Sequence, residues 1–156
     1  GLQTNNGILV NEYCRTTDND IYAIGDCTMH PNPLLRKNLR LESVHNAIEQ
    51  GKTAASNICG QKIGYSQIPW FWSDQYNIKL QICGLNKNYD KTIIRGSPNK
   101  DSFSCLYFKN NIFIAIDAVN RPKDFIQSKK LIEFKMQLDT KKALDTKIEL
   151  NECAIS

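Results

Sequence analysis

The sequence predicts an α+β chain: a mixed strand–helix first half and an antiparallel sheet of about four strands with one or two helices in the second. Three observations carry this. Apolar residues between positions 41 and 58 recur at helical spacing. Residues 78–83 and 103–117 alternate with the period of two that a pleated strand imposes. The Ile68-Pro69 step marks a boundary, because proline holds its predecessor extended. Charge changes there too. Residues 1–68 carry six basic and six acidic side chains, residues 69–156 carry 14 and 10, so the whole net charge of +4 lies in the second stretch.

In the first half, Gly7-Ile8-Leu9-Val10 reads as a short buried strand and Asp18-Asn19-Asp20 as a turn. Ile21-Tyr22-Ala23-Ile24 reads as a second apolar strand that ends at Gly25-Asp26, and a loop with Pro31 and Pro33 follows. Leu41, Val44, Ala47, Ile48, Ala54, Ala55 and Ile58 then trace one helix, with Ser43 as its N-cap and Gly60 as its left-handed stop. Gly51 weakens that helix by up to about 1 kcal/mol relative to Ala and suggests close packing against a strand.

In the second half, Ile78, Leu80 and Ile82 alternate with Lys79, Gln81 and Cys83, which predicts the two sets on opposite faces of a strand. Thr92–Arg95 is a shorter strand. Phe103–Phe108 and Ile112–Asp117 form a hairpin about Asn110-Asn111, since Asn tolerates positive φ. Asn120-Arg121-Pro122 opens a helix, with Asn120 as cap and Pro122 in the first turn. Phe125, Ile132 and Met136 lie on one face of it.

Composition narrows the class. A chain of 156 residues with 41% hydrophobic, 23% charged and 9% aromatic content belongs to a folded globular protein of one domain or two small ones. No apolar run approaches the roughly 18 residues of a membrane span. The N-terminal residues lack the basic and apolar regions of a signal peptide, and they run straight into a strand pattern, as in the middle of a longer chain. The six cysteines are scattered without a C-x-x-C pair, and the reading is reduced thiols acting as small hydrophobes. A cytoplasmic location follows from that usage. With only His30 and His45, no zinc-ligand spacing appears, and no metal is expected.

Three segments carry chemistry. A buried strand ending in Gly25-Asp26 would place a carboxylate at the carboxyl end of a sheet, where open α/β sheets bind ligands and where Asp26 can accept bonds from sugar hydroxyls. The alternative is a plain turn cap. Arg40-Leu41-Glu42-Ser43-Val44-His45 opens the helix, presenting unpaired N–H groups and the positive dipole end to negative charge. Arg40 and Glu42 are spaced for an ion pair, and His45 also fits a polar surface position. Trp70-Phe71-Trp72-Ser73-Asp74-Gln75 can floor a planar ligand, form an interface or anchor a core.

Taken together, these segments resemble the C-terminal part of the FAD-dependent ferredoxin reductases, within the pyridine nucleotide-disulfide oxidoreductase superfamily. The resemblance rests on Gly7–Val10, Thr17–Asp26, Arg40–Val44, Trp72-Ser73-Asp74-Gln75 with Leu80-Gln81 and Gly84-Leu85, and Val119-Asn120-Arg121-Pro122 leading to Phe125. It implies that residues 1–68 are the C-terminal segment of an FAD-binding α/β domain and residues 69–156 a reductase C-terminal domain. The family passes a hydride from NAD(P)H to FAD and single electrons to a [2Fe–2S] ferredoxin.

On that resemblance Gly25 and Asp26 meet the flavin ribityl chain. The helix start at Ser43, Val44 and His45 approaches the flavin's pyrimidine edge, and Trp72 packs near the flavin on the ferredoxin side. No catalytic side chain is assigned. The implied partners are the ferredoxin and the N-terminal FAD and NAD domains of the same parent chain. A homodimer through the surface around Trp72 is also expected, and no nucleic acid or membrane partner is. No G-x-G-x-x-G is present, so neither dinucleotide has a phosphate cradle here. The length is too short for a complete two-nucleotide flavoenzyme, and the piece is expected to bind FAD weakly and to be inactive by itself. The rival readings are a stand-alone α+β interaction module without redox activity and a part of an apoptosis-inducing-factor-like flavoprotein.

Overall fold

The computed structural model describes residues 1–155, which form two compact units, residues 1–67 and 68–155. In the first unit, β1 (Ile8–Leu9) pairs parallel to β2 (Thr28–Asn32), and β2 pairs antiparallel to β3 (Lys37–Leu39). Helix α1 follows, Val44–Ile58. Ser43 caps it, accepting the Asn46 N–H at 3.4 Å. Gly60, at φ +83°, lets the Gly60 and Gln61 amides reach back to Asn57 and Ser56.

Two expectations are corrected here. The strand is Thr28–Asn32, inside the stretch read as a loop, and not Ile21–Ile24. Ile21–Ile24 makes a single bridge, Tyr22 with Arg15, and leaves Ile21 and Ile24 exposed. An apolar run states that residues favour burial; a strand also needs a neighbouring backbone. Pro31 is tolerated in β2 because β1 pairs only with Thr28 and Met29, so one side of β2 is open at Pro31. Gly51 makes no close approach either, since a Cβ there would sit 3.6 Å from the Ile24 side chain, an ordinary contact.

Among the described residues the second unit holds seven strands rather than about four. They are β4 (Trp70–Gln75), β5 (Ile78–Gly84), β6 (Lys91–Ser97), β7 (Ser102–Lys109), β8 (Ile112–Val119), β9 (Gln137–Leu138) and β10 (Ala154–Ile155). The main sheet runs β4-β5-β8-β7-β6, all antiparallel, and β9 joins β8 at Ile112 with β10 outside it. The strands missed were the aromatic segment 70–75 and the two-residue pairs at the C-terminal end, too short to show a period.

Helix α2 (Pro122–Glu133) covers one face of this sheet with Phe125, Leu131 and Ile132 against Cys83, Leu106 and Ile116. Helix α3 (Thr140–Leu144) adds Ala143 to the same core. The core face of β5 is therefore the one carrying Cys83, not the one carrying Ile82. Pro122 opens α2 as expected, but Asn120 does not cap it. Asn120 has φ +50°, accepts the Lys79 amide at 2.9 Å and donates to the Asn77 and Asp101 carbonyls. It ties three loops together instead.

All six cysteines are free: Cys14, Cys83 and Cys153 are buried, Cys105 half-buried, and Cys27 and Cys59 exposed. Burial pushes the Cys14 and Cys83 thiols up to about 11, so both stay protonated. Among the described residues no helix is long and apolar enough to cross a membrane.

A buried ion pair closes the second unit. Arg95 Nε on β6 lies 3.2 Å from both carboxylate oxygens of Asp124 on α2. Arg95 Nη1 donates to the Ala143 and Asp145 carbonyls at 3.0 and 2.7 Å, and Nη2 to Ile148 at 2.5 Å. Asp124 also accepts from Ser104 at 2.9 Å and Arg121 at 2.5 Å.

Burial opposes the Asp124 charge, but the hydrogen bonds from Arg121 and Ser104 and the Arg95 charge outweigh it and hold the carboxyl below its ordinary 3.8. That contribution is complete above the unfolded value and is lost as pH falls through the lower folded one. We expect Asp124→Ala to cost about 3–5 kcal/mol, because Arg95 is left charged and buried without its counter-ion. Urea unfolding followed by tryptophan fluorescence measures it, since Trp70 and Trp72 are both in the second unit. The variant's deficit should shrink as pH falls below about 3.8, where the carboxyl of the unfolded wild-type chain takes up the proton that the folded one still refuses.

Candidate functional site

Gly25–Cys27 form one 3₁₀ turn at the amino end of β2, so Asp26 precedes a strand rather than ending one. Gly25 is buried at φ +79°, and a Cβ there would stand 3.4 Å from the Cβ of Ala47 on α1. The turn thus lies against the helix. Two buried side chains fasten it. The Thr28 hydroxyl is 2.8 Å from the Gly25 carbonyl, and Gln50 Oε1 accepts the Gly25 amide at 2.7 Å and lies 3.1 Å from the same hydroxyl.

This arrangement turns Asp26 outward. The residue is exposed, and its Oδ1 accepts the Ser43 amide at 3.3 Å. Arg40 Nη1 donates to the Asp26 carbonyl at 3.1 Å and pairs with Glu42 at 2.6 Å, the ion pair expected from their spacing. Asp26 therefore stands at the start of α1, where Val44 is 57% exposed and His45 half-buried. Beneath, Asn46 donates to the Leu41 carbonyl at 3.4 Å and accepts from Tyr65 at 2.9 Å. Burial pushes the Tyr65 phenol up, so it remains the donor.

The structure brings Gly25, Asp26, Ser43, Val44 and His45 together on the first unit. An outward carboxylate beside helix-start N–H groups offers acceptors to hydroxyls and donors to a carbonyl-rich edge. A cavity of about 560 Å³ opens elsewhere on this unit, between Pro31, Asn32 and Tyr65, and none of these five residues lines it.

Trp72 belongs to the second unit. It lies on β4, 42% exposed, 5.2 Å from Trp70 centroid to centroid. Trp70 meets Phe125 at 5.6 Å, and Lys129 Nζ sits 4.4 Å over Trp70 and 4.6 Å over Phe125. Trp72 is thus the outer member of an aromatic cluster whose inner rings, Trp70 and Phe125, lie beneath Lys129.

Gln50 and Lys129 are the residues sequence reasoning missed. Asn46, Gln50, Thr53 and Asn57 form a polar stripe at helical spacing, and Lys129 is four residues after Phe125. Either spacing could have revealed them. Among the described residues no group of three or more His, Cys, Asp or Glu could hold a metal.

Residues 70–154 match the family model described as reductase C-terminal, and residues 1–51 match that of pyridine nucleotide-disulphide oxidoreductase. The chain belongs to the reductase C-terminal family. Among family relatives, putidaredoxin reductase CamA of Pseudomonas putida is 41% identical over 152 residues, 97% of this chain and 36% of its own length. A ferredoxin–NAD(P)(+) reductase of a Sphingomonas species is 44% identical over 137 residues, 86% of this chain and 33% of its own.

The crystal structure of the covalent putidaredoxin reductase–putidaredoxin complex superposes at a TM-score of 0.91 and 40% identity, covering 98% of this chain and 37% of that one. A ferredoxin reductase from Rhodopseudomonas palustris gives 0.91 at 36% identity, covering 99% and 38%. The chain spans about a third of the length of the curated relatives it matches.

Gly25→Ala should destabilise the first unit by roughly 1–2 kcal/mol, because its φ of +79° is a conformation that residues with a Cβ rarely adopt. Ser43→Ala should cost about 1 kcal/mol through the lost cap. Thermal melts followed by helical circular dichroism test both.

Proposed function

We propose that this chain is part of an NAD(P)H:ferredoxin oxidoreductase that passes electrons from NAD(P)H through FAD to a [2Fe–2S] ferredoxin. Residues 1–68 supply the C-terminal segment of its FAD-binding domain, and residues 69–156 its reductase C-terminal domain. FAD, when bound, accepts a hydride and releases single electrons.

The observation that carries the reading is the Asp26 carboxylate held at the start of α1 by the Ser43 amide, 3.3 Å away. Asp26 accepts hydrogen bonds from ribityl hydroxyls. Gly25, without a side chain, keeps the turn flat against the helix. The N–H groups around Ser43, Val44 and His45 and the positive end of the α1 dipole favour negative charge at a carbonyl edge facing them. Trp72 is the second unit's contact with the cofactor and part of the surface on which the ferredoxin docks. The basic excess of that half suits an acidic partner.

A second observation supports a role as one part of a larger protein. Helix α1 is turned inside out. Its buried residues are Asn46, Gln50, Thr53, Ala54 and Asn57, while Val44, Ile48 and Ile58 are more than half exposed. Ile21 and Ile24 are exposed as well. Such an apolar surface is a binding surface, here for the N-terminal FAD and NAD domains.

The proposal expects the chain by itself to bind FAD no better than micromolar and to lack reductase activity, because the phosphate cradle is missing. Titration against flavin fluorescence tests this, and submicromolar binding refutes it. Grafted in place of the matching segment of putidaredoxin reductase, the chain should support NAD(P)H-dependent reduction of putidaredoxin. Trp72→Ala should then slow that reduction by about tenfold or more, the loss typical of a central interface aromatic. An unchanged rate refutes the electron-exit role.

A further inference from the structure

We infer that Gln50 is a positioning residue for Asp26, a role that rests on the flavin-site reading above. Gln50 is fully buried in the middle of α1, and its Oε1 accepts the Gly25 amide at 2.7 Å and lies 3.1 Å from the Thr28 hydroxyl. These are the residues at the first position of the 3₁₀ turn and immediately after its last. The Gly25 amide bond therefore ties the first residue of the turn, whose middle residue is Asp26, to α1, while the single Thr28 hydroxyl proton goes to the nearer Gly25 carbonyl. Among the described residues the buried Nε2 has no hydrogen-bond partner, so the side chain serves the turn through its acceptor atom.

The other contacts do not replace it. The Thr28 hydroxyl reaches the Gly25 carbonyl at 2.8 Å, which closes the turn on itself but does not attach it to α1. The Gly25–Ala47 contact is van der Waals packing and sets distance, not direction. Arg40, which holds the Asp26 carbonyl at 3.1 Å, is a partly exposed side chain shared with Glu42. Gln50 is thus the buried polar tie between the turn and the helix whose start Asp26 faces. Without it the Gly25 N–H is buried and unpaired, a state a protein relieves by moving the turn. A moved turn carries the Asp26 carboxylate off the Ser43 amide.

The test compares Gln50→Met, which removes the acceptor at similar volume, with Gln50→Glu, which keeps an oxygen in its place. Amide spectra of the chain itself should show the Gly25 and Ser43 resonances moved in Gln50→Met and near wild type in Gln50→Glu. In the putidaredoxin reductase graft, Gln50→Met should weaken FAD binding about ten- to hundredfold, the range for one buried donor left unpaired. The double variant Asp26→Asn, Gln50→Met should be no weaker than Asp26→Asn, because Gln50 acts through Asp26. Additive losses, or unmoved Ser43 resonances in Gln50→Met, overturn the inference. Failure of the underlying reading looks different: the wild-type graft then takes up no FAD, or Asp26→Asn binds it as tightly as wild type.

Discussion

The second unit is organised around one buried cation. Arg95 offers its guanidinium to a carboxylate and to three backbone carbonyls, and every one of those acceptors comes from outside its own strand. The carboxylate fixes α2 over the sheet, and the carbonyls of residues 143, 145 and 148 fix α3 and the segment after it. Arginine suits this position because its planar fork can direct bonds to several acceptors while remaining charged. A chain segment with little regular structure, residues 139–150, is thereby given a defined place. The apolar core of Leu106, Ile116, Phe125 and Leu150 lies beside it, and the ion pair ties α2 to β6.

The first unit solves a different problem. Its helix carries polar residues inward, and each must find partners. Gln50 takes the Gly25 turn, Asn46 takes Tyr65 and the Leu41 carbonyl, and Asn57 takes the Thr53 and Ile63 carbonyls and the Ile63 amide. The consequence is a helix whose inner face serves to hold loops in position. Its outer face, Val44, Ile48 and Ile58, is available to other apolar surface. The same helix that presents its start to Asp26 also holds, through Gln50, the turn from which Asp26 projects.

The aromatic segment shows how one strand divides its residues between stability and exposure. Trp70 on β4 packs against Phe125 and lies beneath Lys129, while Trp72, two residues on and on the same face, is partly open to solvent. Trp72 is oriented by its neighbour and free at its outer side, a condition suited to contact with another molecule.

Sequence alone determined the elements whose signal is local. The period of 78–83 and 103–117, the helix ending at Gly60, the Ser43 cap, the Pro122 helix start and the Arg40–Glu42 pair are all set by neighbours within a few residues. The resemblance to the ferredoxin reductases groups Gly25, Asp26, Ser43, Val44, His45 and Trp72 as one site; the structure gathers the first five on the first unit, and Trp72 lies on the second. What only tertiary structure decided depends on residues far apart in the chain. Ile21–Ile24 has the composition of a strand but a single bridge, while Thr28–Asn32 is a strand despite Pro31 because β1 and β3 lie beside it. Asn120 is drawn from capping α2 to joining loops 43 and 19 residues away. The partners of Arg95, 29 to 53 residues distant, leave no trace in local pattern. Periodicity reports which side of an element avoids water, and the partners of a buried polar group are fixed only when the chain has closed around it.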